Sequence, residues 1–250
     1  MTGTATIDDL WIRRYQHADP GEAQLVCLPH AGGSAAFFLP MARGLAGRCE
    51  VLAVQYPGRQ DRRSEPLLES VDEIVEGLLP VLRRQARGPV ALFGHSLGAT
   101  VAFELARRLE ALGTAPDALF VSARPAPSRH RAGGTVHLGT DDQLIARLRS
   151  LSGTAEQVLG DEELLRLTLP AVRSDYKAAE TYRYQPGRQL SCPVHALIGR
   201  EDPMVAEDEA RAWSDHTTGS FVLHAYSGGH FYLADHQQEI LGVISEQLLL

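Results

Sequence analysis

The sequence has few cysteines, almost no lysine and no long apolar run, and each shortage removes a class of protein. Cys27, Cys49 and Cys192 are odd in number and far apart, so they read as buried free thiols and not as a disulfide framework. Nowhere do 18 apolar residues run together, and the amino terminus MTGTATIDDLWIRRYQ lacks the basic start and apolar core of a secretory signal. A soluble, cytoplasmic chain with no membrane partner is expected. Basic residues are in the minority, 24 against 31 acidic, giving a net charge of −7, and they gather only in short pairs such as Arg62-Arg63 and Arg83-Arg84. That balance argues against nucleic acid as a partner. The single lysine, Lys177, reflects a compositional preference for arginine and marks no site.

What the sequence does have is enough apolar material for one large core: 250 residues at 44% hydrophobic composition predict a single domain over 1–250. Short apolar runs alternate with longer amphipathic stretches, the pattern of βαβ units around a parallel sheet. Strands are expected over 23–30, 49–56, 89–95, 117–123, 193–199 and 220–226. Their nearly continuous apolar character predicts burial on both faces. Helical spacing covers 37–45, 71–86, 99–112, 206–213 and 237–249, with Pro80 expected to kink the second of these.

The interval 124–187 breaks the alternation. It holds no good strand, and TDDQLIARLRSL and DEELLRLTLPAVRSDYKAAETY space their leucines at three and four, with Thr140 and Asp161 placed as helix N-caps. A helical insertion at that point of an α/β chain is where a lid over the sheet edge would lie.

The stretch PVALFGHSLGATVAFELARRL carries the chemistry. Gly94-His95-Ser96-Leu97-Gly98 follows a strand and opens a helix, the context of a nucleophile elbow. Crowding explains the glycines, because a side chain at 94 or 98 would collide where the turn packs. The helix start also places the Leu97 N–H near Ser96, where an oxyanion would develop.

A serine hydroxyl needs a base, and the base needs an acid to orient it. His230, in YSGGHFYL just after the last strand, is the histidine able to reach the carboxyl edge of the sheet. His95 neighbours the serine on the turn and points elsewhere, while His195 and His224 fall within strands. Asp202, in LIGREDPMV after the preceding strand, is the expected acid, with Glu201 as its competitor. The loop His30-Ala31-Gly32-Gly33 after the first strand can supply a second oxyanion N–H, assigned to Ala31.

Taken together, LPHAGGSAAFF, VQYPGRQDR, GHSLGATVAFELARRL, IGREDPMV and GGHFYL resemble the type II thioesterases of polyketide and nonribosomal peptide biosynthesis, over almost the whole chain. The resemblance implies an α/β-hydrolase fold, with a mostly parallel sheet flanked by helices and a helical lid at about 124–187. It implies Ser96, Asp202 and His230 as catalytic triad and the Ala31 and Leu97 amides as oxyanion hole. It further implies a monomer, without metal or cofactor, that hydrolyses acyl or aminoacyl thioesters from the phosphopantetheine arm of carrier domains and so edits stalled synthases. A carboxylesterase or lipase, an acyltransferase and a non-catalytic binding member of the fold are the alternatives. The arginines of QYPGRQDRRSEP, Arg59, Arg62 and Arg63, read either as a solvated face or as a surface for an acidic carrier domain or its phosphate.

Overall fold

The structure, a computed structural model, describes residues 10–16, 22–129, 133–152 and 162–248. The apolar runs form β2 (Gln24–Leu28), β3 (Glu50–Val54), β4 (Val90–His95), β5 (Ala118–Ser122), β6 (Val194–Gly199) and β7 (Phe221–Tyr226), and a short β1 (Ile12–Arg14) precedes them. They make a seven-stranded sheet in the order β1-β3-β2-β4-β5-β6-β7. Only β1 is antiparallel, with Ile12 opposite Val54. The three residues of β1 are too few to show a strand period, which is why the sequence reading passes over it.

The helices α1 (Leu39–Gly44), α2 (Val71–Gln85), α3 (Leu97–Ala111), α4 (Asp141–Ser152), α5 (Glu162–Thr181), α6 (Glu207–Arg211) and α7 (Gln237–Leu248) fall between or after these strands. Alternate side chains of each strand serve opposite faces. Val26, Leu28, Leu52 and Leu92 pack against α2 and α3, while Leu25, Cys27, Ala53 and Phe93 pack against α1 and α7. Strands β2, β3 and β5 are buried along their whole length, as parallel strands covered on both faces must be. Ser70 caps α2 in a reciprocal pair with Glu73, and Pro80 sits inside a helix that runs unbroken to Gln85.

Parallel register decides what meets at the carboxyl edge. Leu28 of β2 stands opposite Gly94 of β4, so the loop after β2 and the turn after β4 leave the sheet side by side.

Between β5 and β6 the chain inserts α4 and α5. They close over a small apolar cluster of their own, Leu144, Ile145, Leu165, Leu169, Val172 and Tyr176. Thr140 caps α4, its hydroxyl accepting the Gln143 backbone N–H at 3.3 Å while the Gln143 side-chain Oε1 accepts the Thr140 N–H at 2.8 Å. Asp161 lies outside the described residues. The three cysteines are buried and free. Among the described residues no helix is long and apolar enough to cross a membrane.

Candidate active site

The turn between β4 and α3 consists of Ser96 alone, at φ 55° and ψ −115°. A non-glycine residue in that region costs about 1–3 kcal/mol and persists only where its surroundings dictate it. They do so here. The Ser96 N–H donates to the Ser122 carbonyl at 2.8 Å. A Cβ on Gly94 would lie 2.2 Å from the Gly98 carbonyl oxygen, and one on Gly98 would lie 2.0 Å from that of Leu28. Both obstacles are backbone, so neither can move aside, and the two glycines are required by the packing of the turn.

Three residues beyond β6, Asp202 is buried with both carboxylate oxygens occupied. Oδ1 accepts the Met204 N–H at 2.8 Å, and Oδ2 lies 2.8 Å from His230 Nδ1. The His230 loop is held against the end of β6 by backbone contact, since a Cβ on Gly199 would meet the carbonyl oxygens of Gly229 at 2.3 Å and Gly228 at 2.4 Å. Gly228 takes φ +99°, a left-handed turn that favours glycine. The competing acid, Glu201, turns away to accept the Gly228 N–H. Its place in the sequence is one residue from Asp202, but its carboxylate serves the loop and not the imidazole.

Ser96, Leu97, Ala31 and His230 line a cavity of about 520 Å³ together with Leu148, Leu165 and Val172 of the insertion. Beneath the site lies a shelf of rings. His30 packs edge-on against Phe37 and Phe231 at 4.6 and 4.9 Å, and His95 lies 5.3 Å from the ring of His230. His95 Nδ1 sits 2.9 Å from the Ser122 hydroxyl, which in turn meets the Tyr232 hydroxyl at 2.7 Å. Burial pushes His30 down to about 3, helped by the neighbouring His230 and Arg59, and pushes His95 well below the usual imidazole range. Both rings are therefore neutral at pH 7, and neither adds a positive charge beside His230.

The loop carrying Ala31 is held from two sides. The Gly32 N–H donates to Asp175 Oδ2 at 2.7 Å, and Asp175, on α5, forms a two-pronged ion pair with Arg59 at 2.9 and 3.0 Å. Arg59 Nη1 also donates to the Gly33 carbonyl at 3.3 Å, and Gln55 accepts the Ala35 N–H at 2.8 Å. The reading of Arg59, Arg62 and Arg63 as one exposed basic surface is thereby corrected. Arg59 and Arg62 are only 8% and 3% exposed. Arg62 packs over Trp11, donates to the Gln55 carbonyl and pairs with Glu65, which leaves Arg63 alone at the surface. Asp175 escaped the sequence reading, although its position offered a signal. It shares the apolar face of α5 with Val172 and Tyr176, and an acid on such a face needs a buried partner.

The thioesterase domain profile matches residues 23–248. The chain is 53% identical to "Thioesterase PikA5" of Streptomyces venezuelae, across 96% of this chain and 86% of that protein. It is 46% identical to a probable cadicidin biosynthesis thioesterase of Streptomyces griseus, across 97% of this chain and 68% of that one. Among solved structures, the type II thioesterase BorB from the borrelidin biosynthetic cluster superposes with a TM-score of 0.93 at 64% identity, covering 96% of this chain and 98% of BorB.

Proposed function

The chain belongs to the thioesterase family, and from that premise we propose that it is a discrete type II enzyme. In this reading it removes acyl or aminoacyl groups from the phosphopantetheine arm of carrier domains and so clears stalled or misprimed polyketide or nonribosomal peptide synthases. The observation that carries the reading is the convergence of Ser96 and the His230–Asp202 pair on one largely apolar cavity roofed by α4 and α5. The relatives support the pathway, since one is named for cadicidin biosynthesis and another comes from the borrelidin cluster.

The chemistry proceeds in two steps. Ser96 Oγ attacks the thioester carbonyl carbon while His230 Nε2 takes the hydroxyl proton, and the carbonyl oxygen becomes an oxyanion. As the tetrahedral intermediate collapses, the carbon–sulfur bond breaks and His230 returns the proton to the departing thiol. Water then attacks the acyl-serine by the same route, His230 acting first as base and then as acid, and a free carboxylic acid leaves. Asp202, donor-bound through Met204, holds His230 Nδ1 protonated so that Nε2 is the basic nitrogen.

Two amides serve the oxyanion. Leu97 begins α3, so its N–H has no partner within the helix and lies at the positive end of the helix dipole. On the other side, the Gly32 N–H is bound to Asp175 and the Gly33 N–H to the His30 carbonyl, which makes Ala31 the donor of that loop. The insertion acts as the lid, its apolar cluster presenting Val172 and Leu165 to the acyl group. The partner is an acyl-loaded carrier domain, and the enzyme works as a monomer.

Release of free thiol from short acyl groups, loaded on a carrier protein or on pantetheine, tests the reading. Turnover that disappears in Ser96→Ala and is faster on the carrier is expected. Cleavage of oxygen esters with no thioester turnover would instead make the protein a general esterase.

A further inference from the structure

We infer that Asp175 is a positioning residue for the oxyanion hole, tying the helical insertion to the catalytic loop. The inference rests on the reading of Ser96 as nucleophile and Ala31 as oxyanion donor.

The loop after β2 is closed within itself by one bond, from the Gly33 N–H to the His30 carbonyl at 2.9 Å. It contains two adjacent glycines, and Gly32 takes φ +77°, so it keeps backbone freedom that a further restraint has to remove. The restraint comes from 143 residues further along the chain. Asp175, 1% exposed, accepts the Gly32 N–H at 2.7 Å. That bond fixes the peptide unit joining Ala31 to Gly32, and so restrains the preceding unit, which carries the Ala31 N–H and is linked to it only through φ and ψ of Ala31.

A second contact blocks the same motion sterically. Val172, one turn before Asp175 on α5, sits where a Cβ on Gly32 would lie only 2.7 Å from its Cγ2. Arg59 completes the clamp. It neutralises the carboxylate by two parallel bonds, so that Asp175 does not set an uncompensated negative charge beside a forming oxyanion, and it also holds the Gly33 carbonyl. Three chain segments thus meet at one buried ion pair: the loop after β3, the loop after β2, and α5.

An oxyanion donor contributes through its aim at the transition state, so loss of aim lowers kcat more than it raises KM. An ion pair that merely stabilised the fold would alter the amount of folded enzyme and leave kcat per folded molecule alone. Three variants separate these roles. Asp175→Ala removes the acceptor for Gly32. Asp175→Asn keeps an oxygen able to accept that N–H. Arg59→Met with Asp175→Ala removes both charges, so no lone buried charge remains to unfold the protein.

For each variant, the melting temperature is measured with kcat and KM on a short acyl-pantetheine thioester, and with the inhibition constant of an alkylboronic acid. The boronic acid forms a tetrahedral boronate when Ser96 Oγ donates a lone pair to boron and its proton passes to His230, with one boron oxygen in the oxyanion hole. For Asp175→Ala we expect kcat to fall about 10- to 100-fold, less than removal of a donor outright, with boronate affinity falling by a similar factor and KM changing little. Asp175→Asn should recover part of both. The double variant should regain melting temperature while kcat and boronate affinity stay low.

Recovery of kcat and boronate affinity together with melting temperature in the double variant would overturn the inference, as would an Asp175→Ala enzyme with both unchanged. A wild-type protein that neither releases thiol nor binds the boronate would overturn the proposed function itself, a separate result read before any variant is made.

Discussion

The carboxyl edge of the sheet and the helical insertion above it are built on different principles. At the edge, position is set by backbone against backbone. Gly94, Gly98 and Gly199 each stand where a single carbon would strike a main-chain oxygen at 2.0 to 2.3 Å. Ser96, Asp202 and His230 leave strand ends or follow them within a few residues, and the strands are anchored in a two-sided core. In the insertion, position is set by side chains, through one small apolar cluster, scattered ion pairs and bonds to backbone groups such as that of Asp175 to the Gly32 N–H, and Leu138 and Leu167 remain 73% and 75% exposed. Backbone packing tolerates almost no change, whereas side-chain packing can be altered by degrees. Under the proposed function the difference suits a division of labour: the edge would hold the chemistry constant while the insertion would shape what may enter.

The largest test of that contrast is chemical. Ser96→Ala or Asp202→Asn should reduce kcat on an acyl thioester by about 10⁴-fold or more, with the melting temperature of either variant near that of wild type. Next comes the backbone wall. Gly98→Ala places its Cβ 2.0 Å from the Leu28 carbonyl oxygen, and the forced shift should cost about 3 kcal/mol in chemical denaturation. An alanine at this position with wild-type stability and turnover would break the comparison at its strongest point.

A smaller effect is expected in the insertion. Leu165→Val, in the cluster and on the cavity wall but away from the Gly32 loop, should cost about 1 kcal/mol of stability. It should also shift the acyl preference toward larger groups while cleavage of a minimal acetyl ester stays within a few-fold of wild type. A loss of reactivity equal for every acyl group would mean that the insertion shapes chemistry more than selection.

The smallest effect concerns pH. His95 is fully buried and its pKa is depressed well below 6.5, so it is neutral in the folded state where the unfolded chain would bind a proton. Stability is therefore complete above about pH 6.5 and falls as the pH drops below it, by about 1.4 kcal/mol per pH unit from this group. His30, pushed down to about 3, adds a slope of the same sign, so melting curves between pH 7.5 and 5 should show the sum and His95→Gln should lower it by about 1.4 kcal/mol per pH unit. An unchanged slope would place the acid sensitivity elsewhere.

The same division explains what could be read in the sequence. A parallel strand buried on both faces is a run of apolar letters, and an elbow needs glycine where only glycine fits, so both leave marks that survive without any knowledge of distant contacts. The six expected strands form with their ends slightly shortened, and the glycines flanking Ser96 meet the obstacles anticipated for them. β1 leaves no such mark, because Ile12–Arg14 is short and paired at the sheet edge.

The place of Asp175 on an apolar helix face was a signal, but the Arg59–Asp175 pair itself was illegible for another reason. Its members lie 116 residues apart, and an arginine in a polar loop looks the same in the sequence whether it faces solvent or a buried carboxylate. The ring shelf of His30, Phe37, His95 and Phe231 is likewise assembled from three separate segments, and no local pattern announces it.

The account stands most directly on the identity of the nucleophile. Rapid-quench mixing of wild-type protein with a short acyl-pantetheine thioester, followed by peptide mass analysis, reports where the acyl group resides during turnover. The account predicts a transient mass increase equal to the acyl group on the peptide containing Ser96, with thiol released in step. Sustained thiol release with no acyl group on Ser96, persisting in Ser96→Ala, would contradict it.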